Sequence, residues 1–220
     1  MEIKQLFEYF QERTPAILGS ENFTKFAVLL PLVEKEGDIH VLFEVRSHKM
    51  RRQPGEVCFP GGKCDPEDED ERFTAIRETA EELGVIPSDI HHTFPLDFML
   101  SPFGTIIFPF VGALPTSQLN TNPEEVEEVF TVPLDYLLKA VPDCHSINFK
   151  VVPEEGFPFD LIIGGKDYNW QARPMDEYFY FYEDRIIWGL TARILKHFLD
   201  IVKKSGVFCE PPPPLDKSKK

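Results

Sequence analysis

The stretch FPGGKCDPEDEDERFTAIRETAEELGV, from Phe59 to Val85, decides how the rest of the chain is read. Its second half predicts a short, acidic helix, capped by Asp68 with Glu71 completing a capping box, and stopped by Gly84 and Pro87. Phe73, Ile76, Ala80 and Leu83 recur at helical spacing and should form one apolar stripe against a core. The opposite face then carries Glu78 and Glu82, one turn apart, with Glu81 beside them. Like charges so spaced cost a few tenths of a kcal/mol in an exposed helix, which makes sense where a cation is held. Oxygen-only donors suit a hard divalent ion, Mg2+ or Mn2+, which keeps positions open for water and a substrate phosphate. Gly61 and Gly62 let backbone approach that site with no side chain between. An acidic run taken alone is more often a solvated helix face.

Upstream lies RSHKMRRQPGEVCFPGG, which holds the main basic cluster: Arg46, His48, Lys49, Arg51 and Arg52, with Lys63 just beyond. The chain as a whole has a formal net charge of −14, which on average repels a nucleic-acid backbone. A basic loop that ends at a carboxylate-rich site is what a substrate with several phosphates requires. Arginine grips phosphate oxygens bidentately while a metal neutralises the group under attack. Downstream, NTNPEEVEEVF supplies Glu124, Glu125, Glu127 and Glu128.

Nothing on either side of these segments suggests a second domain. With 220 residues, 42% of them hydrophobic, the chain is long enough for one domain with a sizeable core. Residues 1–210 are read as that domain and 211–220, rich in Pro and Lys, as an extended, disordered tail. Ile3 to Gln11 predicts an amphipathic helix with Leu6, Phe7 and Phe10 on its apolar side. Phe23–Val33 and Ile39–Val45 predict a hairpin, and Phe94–Leu100 and Thr105–Leu114 a second strand pair around SPFG. Val129–Val132 predicts a strand before a helix near Pro133, and Ile187–Lys203 a closing helix. The aromatics Tyr178, Phe179, Tyr180 and Phe181 are read as core and cross-strand pairs. Four cysteines without paired or zinc-type spacing read as reduced thiols of a cytoplasmic protein. The N-terminus has no secretory-signal pattern, no run approaches a membrane span, and Ser-Lys-Lys ends the chain where a peroxisomal address would have Ser-Lys-Leu.

Gly62, Glu69, Arg77, Glu78, Glu81, Glu82, Gly84 and Val85 together resemble the Nudix box. Thr79 stands where an aliphatic residue is usual, and six residues rather than five separate Gly62 from Glu69, so Asp68, Glu69 and Asp70 all compete for the first acidic position. Leu42, Phe43, Arg46, Ser47, Arg51, Gly55 and Phe59-Pro60-Gly61-Gly62 are similar, without a gap, to the signature of the coenzyme A diphosphatase branch of that family. The resemblance implies an α+β Nudix fold, a mixed β-sheet sandwiched between helices. It also implies metal-dependent hydrolysis of coenzyme A or its thioesters to adenosine 3′,5′-bisphosphate and 4′-phosphopantetheine.

On that reading Glu78, Glu81 and Glu82 hold Mg2+ or Mn2+, and Arg46, Arg51, Gly61 and Gly62 bind substrate. Arg77 pairs with an acid of the preceding loop. Glu81 also serves the chemistry with Glu78, and either Glu125 or Glu128 adds a carboxylate from downstream. The partner is a small molecule, with neither nucleic acid nor membrane, in a monomer or homodimer. Two alternatives stay open: a Nudix activity on ADP-ribose, NADH or oxidised nucleotides, and a non-catalytic Nudix-like ligand sensor.

Overall fold

The computed structural model describes residues 3–115 and 119–207. The expected tail and Cys209 lie outside the described residues. In chain order the elements are α1 (Ile3–Gln11), β1 (Thr24–Lys35), β2 (Asp38–Arg46), β3 (Val57–Cys58), β4 (Gly61–Lys63), α2 (Glu71–Leu83), β5 (His91–Pro95), β6 (Met99–Ser101) and β7 (Thr105–Ala113). There follow β8 (Val126–Pro133), α3 (Leu134–Lys139), β9 (Asp143–Ile147), β10 (Met175–Tyr182), β11 (Arg185–Trp188) and α4 (Gly189–Ser205).

The main sheet runs β3-β2-β1-β7-β5, with β4 added to β1, β6 to β7 and β8 to β2. Strands β1 and β7 are parallel and every other pair is antiparallel, so the sheet is mixed. A smaller sheet, β11-β10-β9, packs beside it. Both faces of the main sheet are covered, which is why β1 and β2 read as near-continuous apolar runs rather than alternating ones. On one face Ala27, Leu29, Leu42 and Phe110 meet Ala75 and Leu83 of α2. On the other, Phe43, Val45, Val57 and Phe59 meet Leu195, Phe198 and Leu199 of α4. This is the expected α+β sandwich, with the sheet between helices.

One boundary differs from expectation. The closing helix starts at Gly189, because Ile187 and Trp188 instead pair with Tyr180 and Phe179 across β10–β11. Tyr180 is core, and Phe179 and Phe181 stand opposite Trp188 and Ile186 of β11 as the expected cross-strand pairs. Helix α1 has the expected bounds, and Leu6, Phe7 and Phe10 on its apolar side are exposed.

Helix α2 is turned differently from its sequence pattern. Its buried residues are Thr74, Ala75, Thr79, Glu82 and Leu83, while Phe73 is 44% exposed. Glu82 and, in part, Glu78 therefore turn toward the sheet while Glu81 faces outward, and the expected stripe of Phe73, Ile76, Ala80 and Leu83 is only partly inward. The small residues Thr74, Ala75 and Thr79 let the helix come close to the sheet. Buried Thr79 keeps its hydroxyl satisfied by donating to the Ala75 carbonyl at 2.7 Å. The helix cap is Asp70, whose side chain accepts from the Phe73 N–H, and not Asp68, which is held elsewhere. Gly84 ends the helix in the left-handed conformation, as expected.

Candidate active site

The site begins with the two glycines between β3 and α2. Gly61 has φ +151° and lies opposite Val28, where a Cβ would stand 2.3 Å from the Ala27 carbonyl oxygen. A Cβ on Gly62 would fall 2.2 Å from the carboxyl carbon of Glu78. The first glycine therefore lets β4 join β1, and the second leaves room for a carboxylate.

Arg77 organises the acidic loop. Its Nε and Nη2 donate to the two oxygens of Asp68 at 3.0 Å each, and its Nη1 reaches Glu78 at 2.9 Å and Glu81 at 3.5 Å. Asp68 also accepts from Thr74 Oγ1 at 2.7 Å and from the Asp65 N–H at 3.0 Å. The Arg77 guanidinium, with these donors, holds the Asp68 carboxyl well below the usual range. Asp68 is thus the acid of the preceding loop that pairs with Arg77, as expected of that arginine. Glu81 stays on the outer rim, largely exposed.

Glu82 is 5% exposed and accepts the Gly61 N–H at 2.8 Å. Burial pushes its carboxyl far above the usual range, and the charges of Glu44, Glu78 and Glu125 push it further. Glu78 is raised too, first by burial, with Glu81 and Glu125 adding to the effect against the opposing charge of Arg77. Glu44, on β2, was not foreseen from the sequence. It is 1% exposed, and burial raises its carboxyl, with Glu125 adding to the effect. The one available signal was a lone acid inside the apolar run VLFEV.

The basic loop is stitched to the downstream acidic loop. The Ser47 N–H donates to the Glu125 carbonyl at 2.8 Å, Ser47 Oγ to the Pro123 carbonyl at 3.2 Å, and Lys49 pairs with Glu124 at 2.6 Å. The same downstream loop caps α2, through the Asn122 N–H on the Glu82 carbonyl at 2.9 Å. Glu125 is thereby carried to the carboxylates of α2. Glu128 is not: it sits on β8, in a two-pronged ion pair with Arg185.

Arg46 lies at a register shift of β2. Its Nε donates to the Arg52 carbonyl at 3.4 Å, and its charge acts on Glu44 and Cys58. Arg51 is exposed on the same loop and makes no hydrogen bond or ion pair among the described residues.

As arranged, no three His, Cys, Asp or Glu side chains among the described residues stand close enough to hold an ion. Glu78 and Glu81 are engaged by Arg77, and Glu82 by Gly61. The donor set nevertheless fits a hard cation. Glu44 and Glu82 are buried and Glu78 is half-buried, all three interact electrostatically with Glu125, and Glu44 Oε2 is buried without a hydrogen-bond partner among the described residues.

With this fold and these carboxylates, the chain belongs to the Nudix hydrolase family: residues 24–154 match the family's NUDIX domain. It is 46% identical over 115 residues to the peroxisomal coenzyme A diphosphatase NUDT7 of Mus musculus, covering 52% of this chain and 49% of that protein. It is 43% identical over 117 residues to the mitochondrial coenzyme A diphosphatase NUDT8 of Homo sapiens, covering 51% and 50%. An uncharacterized Nudix hydrolase, NudL of Photorhabdus laumondii, is 33% identical over 177 residues, 80% of this chain and 83% of that one. The match thus spans about half the length of the two diphosphatases. Among solved structures, a MutT/nudix family protein from Enterococcus faecalis aligns with a TM-score of 0.47 and 17% identity over 92% of this chain and 70% of its own.

Proposed function

We propose that the protein hydrolyses the diphosphate bond of coenzyme A or its thioesters, releasing adenosine 3′,5′-bisphosphate and 4′-phosphopantetheine or its acyl form. One observation carries this reading: the loop bearing Arg46 and Arg51 runs into Gly61 and Gly62, which contact Glu82 and Glu78, and is tied to the loop bearing Glu125. The phosphate-gripping and carboxylate halves of the site are thus joined through backbone hydrogen bonds. The likeness to two coenzyme A diphosphatases supports the choice of substrate.

Glu78, Glu82 and Glu81 would hold Mg2+ or Mn2+, which would supply Lewis acidity to a phosphoryl oxygen and ease deprotonation of the attacking water. Arg46 and Arg51 bind the phosphates and orient the diphosphate toward the carboxylates. Glu125 takes the proton from water as oxygen attacks phosphorus, and Asp68 holds Arg77 so that Glu78 keeps its place. The acidic net charge argues for a small-molecule partner. We read the chain to about residue 210 as one domain, since Tyr180, Ile187 and Leu195 share a core cluster with Phe43 and Val57. The unpaired thiols of Cys58, Cys64 and Cys144 fit a reducing compartment, and we propose the cytoplasm; cell fractionation tests it.

Mass spectrometry of products from coenzyme A, ADP-ribose and NADH, each with Mg2+, tests the function. Adenosine 3′,5′-bisphosphate from coenzyme A at the highest catalytic efficiency is the expected result. A preference for ADP-ribose or NADH would replace the substrate assignment, and binding without turnover would replace catalysis with sensing.

A further inference from the structure

Glu44 sits within five consecutive buried positions of β2, Val41 to Val45. Both faces of the sheet are covered there, so strand alternation offers a charged side chain no solvent. One of its oxygens accepts from the Cys58 thiol at 3.1 Å. The other, Oε2, is buried and has no hydrogen-bond partner among the described residues. Native interiors rarely leave such an atom unsatisfied. The charges of two further carboxylates, Glu82 and Glu125, act on the same group. A cation would satisfy it.

The fold says where that cation would be. Alternation places Glu44 on the same face of β2 as Leu42, which packs with Ala75 and Leu83 of α2, and opposite Phe43 and Val45, which pack toward α4. Glu44 therefore points into the layer between sheet and α2, where Glu78 and Glu82 also point. Its thiol partner Cys58 lies across from it in β3, three residues before Gly61, whose N–H binds Glu82 at 2.8 Å. From the other edge of β2, the Ser47 N–H holds the Glu125 backbone at 2.8 Å.

We infer that Glu44 is a fourth carboxylate of the cation site, offering its free oxygen from the sheet to a divalent ion that Glu78 and Glu82 hold from the helix. The inference rests on the metal-dependent reading of the site. Glu44 lies outside the acidic helix and is none of the residues by which either sequence motif is defined. In this role it closes the site from below and leaves the outer positions, beside Arg46 and Glu81, to water and substrate.

The test is Mn2+ binding to the substrate-free protein, by calorimetry and by the electron paramagnetic resonance of the free ion. Glu44→Gln keeps the shape and removes the charge, and should weaken Mn2+ binding on the order of ten- to a hundredfold. The melting temperature without metal should hold or rise, and the rise that Mn2+ produces in the wild type should shrink. Cys58→Ala takes away the thiol donor and leaves the carboxylate, and should keep or tighten Mn2+ affinity. Wild-type affinity in Glu44→Gln would overturn the inference alone. A loss in Cys58→Ala as large as in Glu44→Gln would also overturn it, since packing around β3 would then set the affinity. Absence of Mn2+ binding in the wild type would overturn the metal-dependent reading along with it.

Discussion

Adjacent glycines at 61 and 62 should fail in different ways when each is given a single methyl group. At Gly62 the new Cβ would lie 2.2 Å from the carboxyl carbon of Glu78 and 2.4 and 2.5 Å from its oxygens. Those atoms are the free end of a flexible side chain, so they yield and the fold survives. Ordinary contact requires the carboxylate to retreat by roughly 1 Å, a misplacement that costs on the order of a hundredfold in turnover. At Gly61 the Cβ would meet the Ala27 carbonyl oxygen at 2.3 Å and the Val28 Cα at 2.6 Å, with φ at +151°. Backbone cannot step aside, so β4 must part from β1 at a cost of about 3 kcal/mol. In a chain this long that lowers the melting temperature by roughly 6 to 12 °C. The assay is kcat on coenzyme A with saturating Mg2+, set beside a calorimetric melt of each variant. Gly62→Ala should keep its melting temperature within a few degrees and lose turnover, and Gly61→Ala should melt early. Near-normal turnover in a folded Gly62→Ala would refute the claim that this glycine exists to make room for Glu78.

Glu78→Gln and Glu82→Gln should each lower turnover a hundredfold or more, about 3 kcal/mol of transition-state stabilisation. Without metal, the buried Glu82 carboxyl binds its proton more tightly folded than unfolded, so its contribution to stability is present at low pH and lost as pH rises above the usual carboxylate range. Melts of metal-free Glu82→Gln should therefore match the wild type near pH 4 and exceed it at pH 8, and a variant that is less stable at pH 8 would contradict this. Glu125→Gln should cut turnover at least tenfold, whereas Glu128→Gln, which only loosens the pair with Arg185, should stay within about threefold; steady-state kinetics with the ranking reversed would move the downstream carboxylate to β8. Arg46→Ala and Arg51→Ala should each lose about ten- to a hundredfold in kcat/KM on coenzyme A. A larger loss on coenzyme A than on dephospho-coenzyme A marks the residue that meets the 3′-phosphate, and no loss in either variant would leave the basic loop as plain surface.

Local chemistry made much of this protein legible from its sequence. The bounds of α1, the β1–β2 hairpin and the Gly84 stop follow from hydrophobic runs and turn residues that act within a few positions of one another. The acidic helix and the basic loop were readable for the same reason, since charge spacing along one element needs no knowledge of its neighbours. Which way α2 faces was not readable. Its apolar residues predict a stripe through Phe73, but contact with β1 and β4 goes to the small Thr74, Ala75 and Thr79, and carries Glu78 and Glu82 inward with them. Which acid of the preceding loop meets Arg77 was likewise open until the loop's path set Asp68 against the guanidinium. Glu125 and Glu128 are three positions apart and indistinguishable by composition, yet hydrogen bonds from Ser47 and Asn122 bring one toward the site and Arg185 holds the other away. Glu44 reads along the chain as one acid in a strand, and only the packing of a helix on each side of the sheet makes it a buried charge with an unmet oxygen. Sequence determines what each element is, because that depends on near neighbours; which carboxylates share one small volume depends on residues far apart in the chain, and the tertiary structure alone decides it.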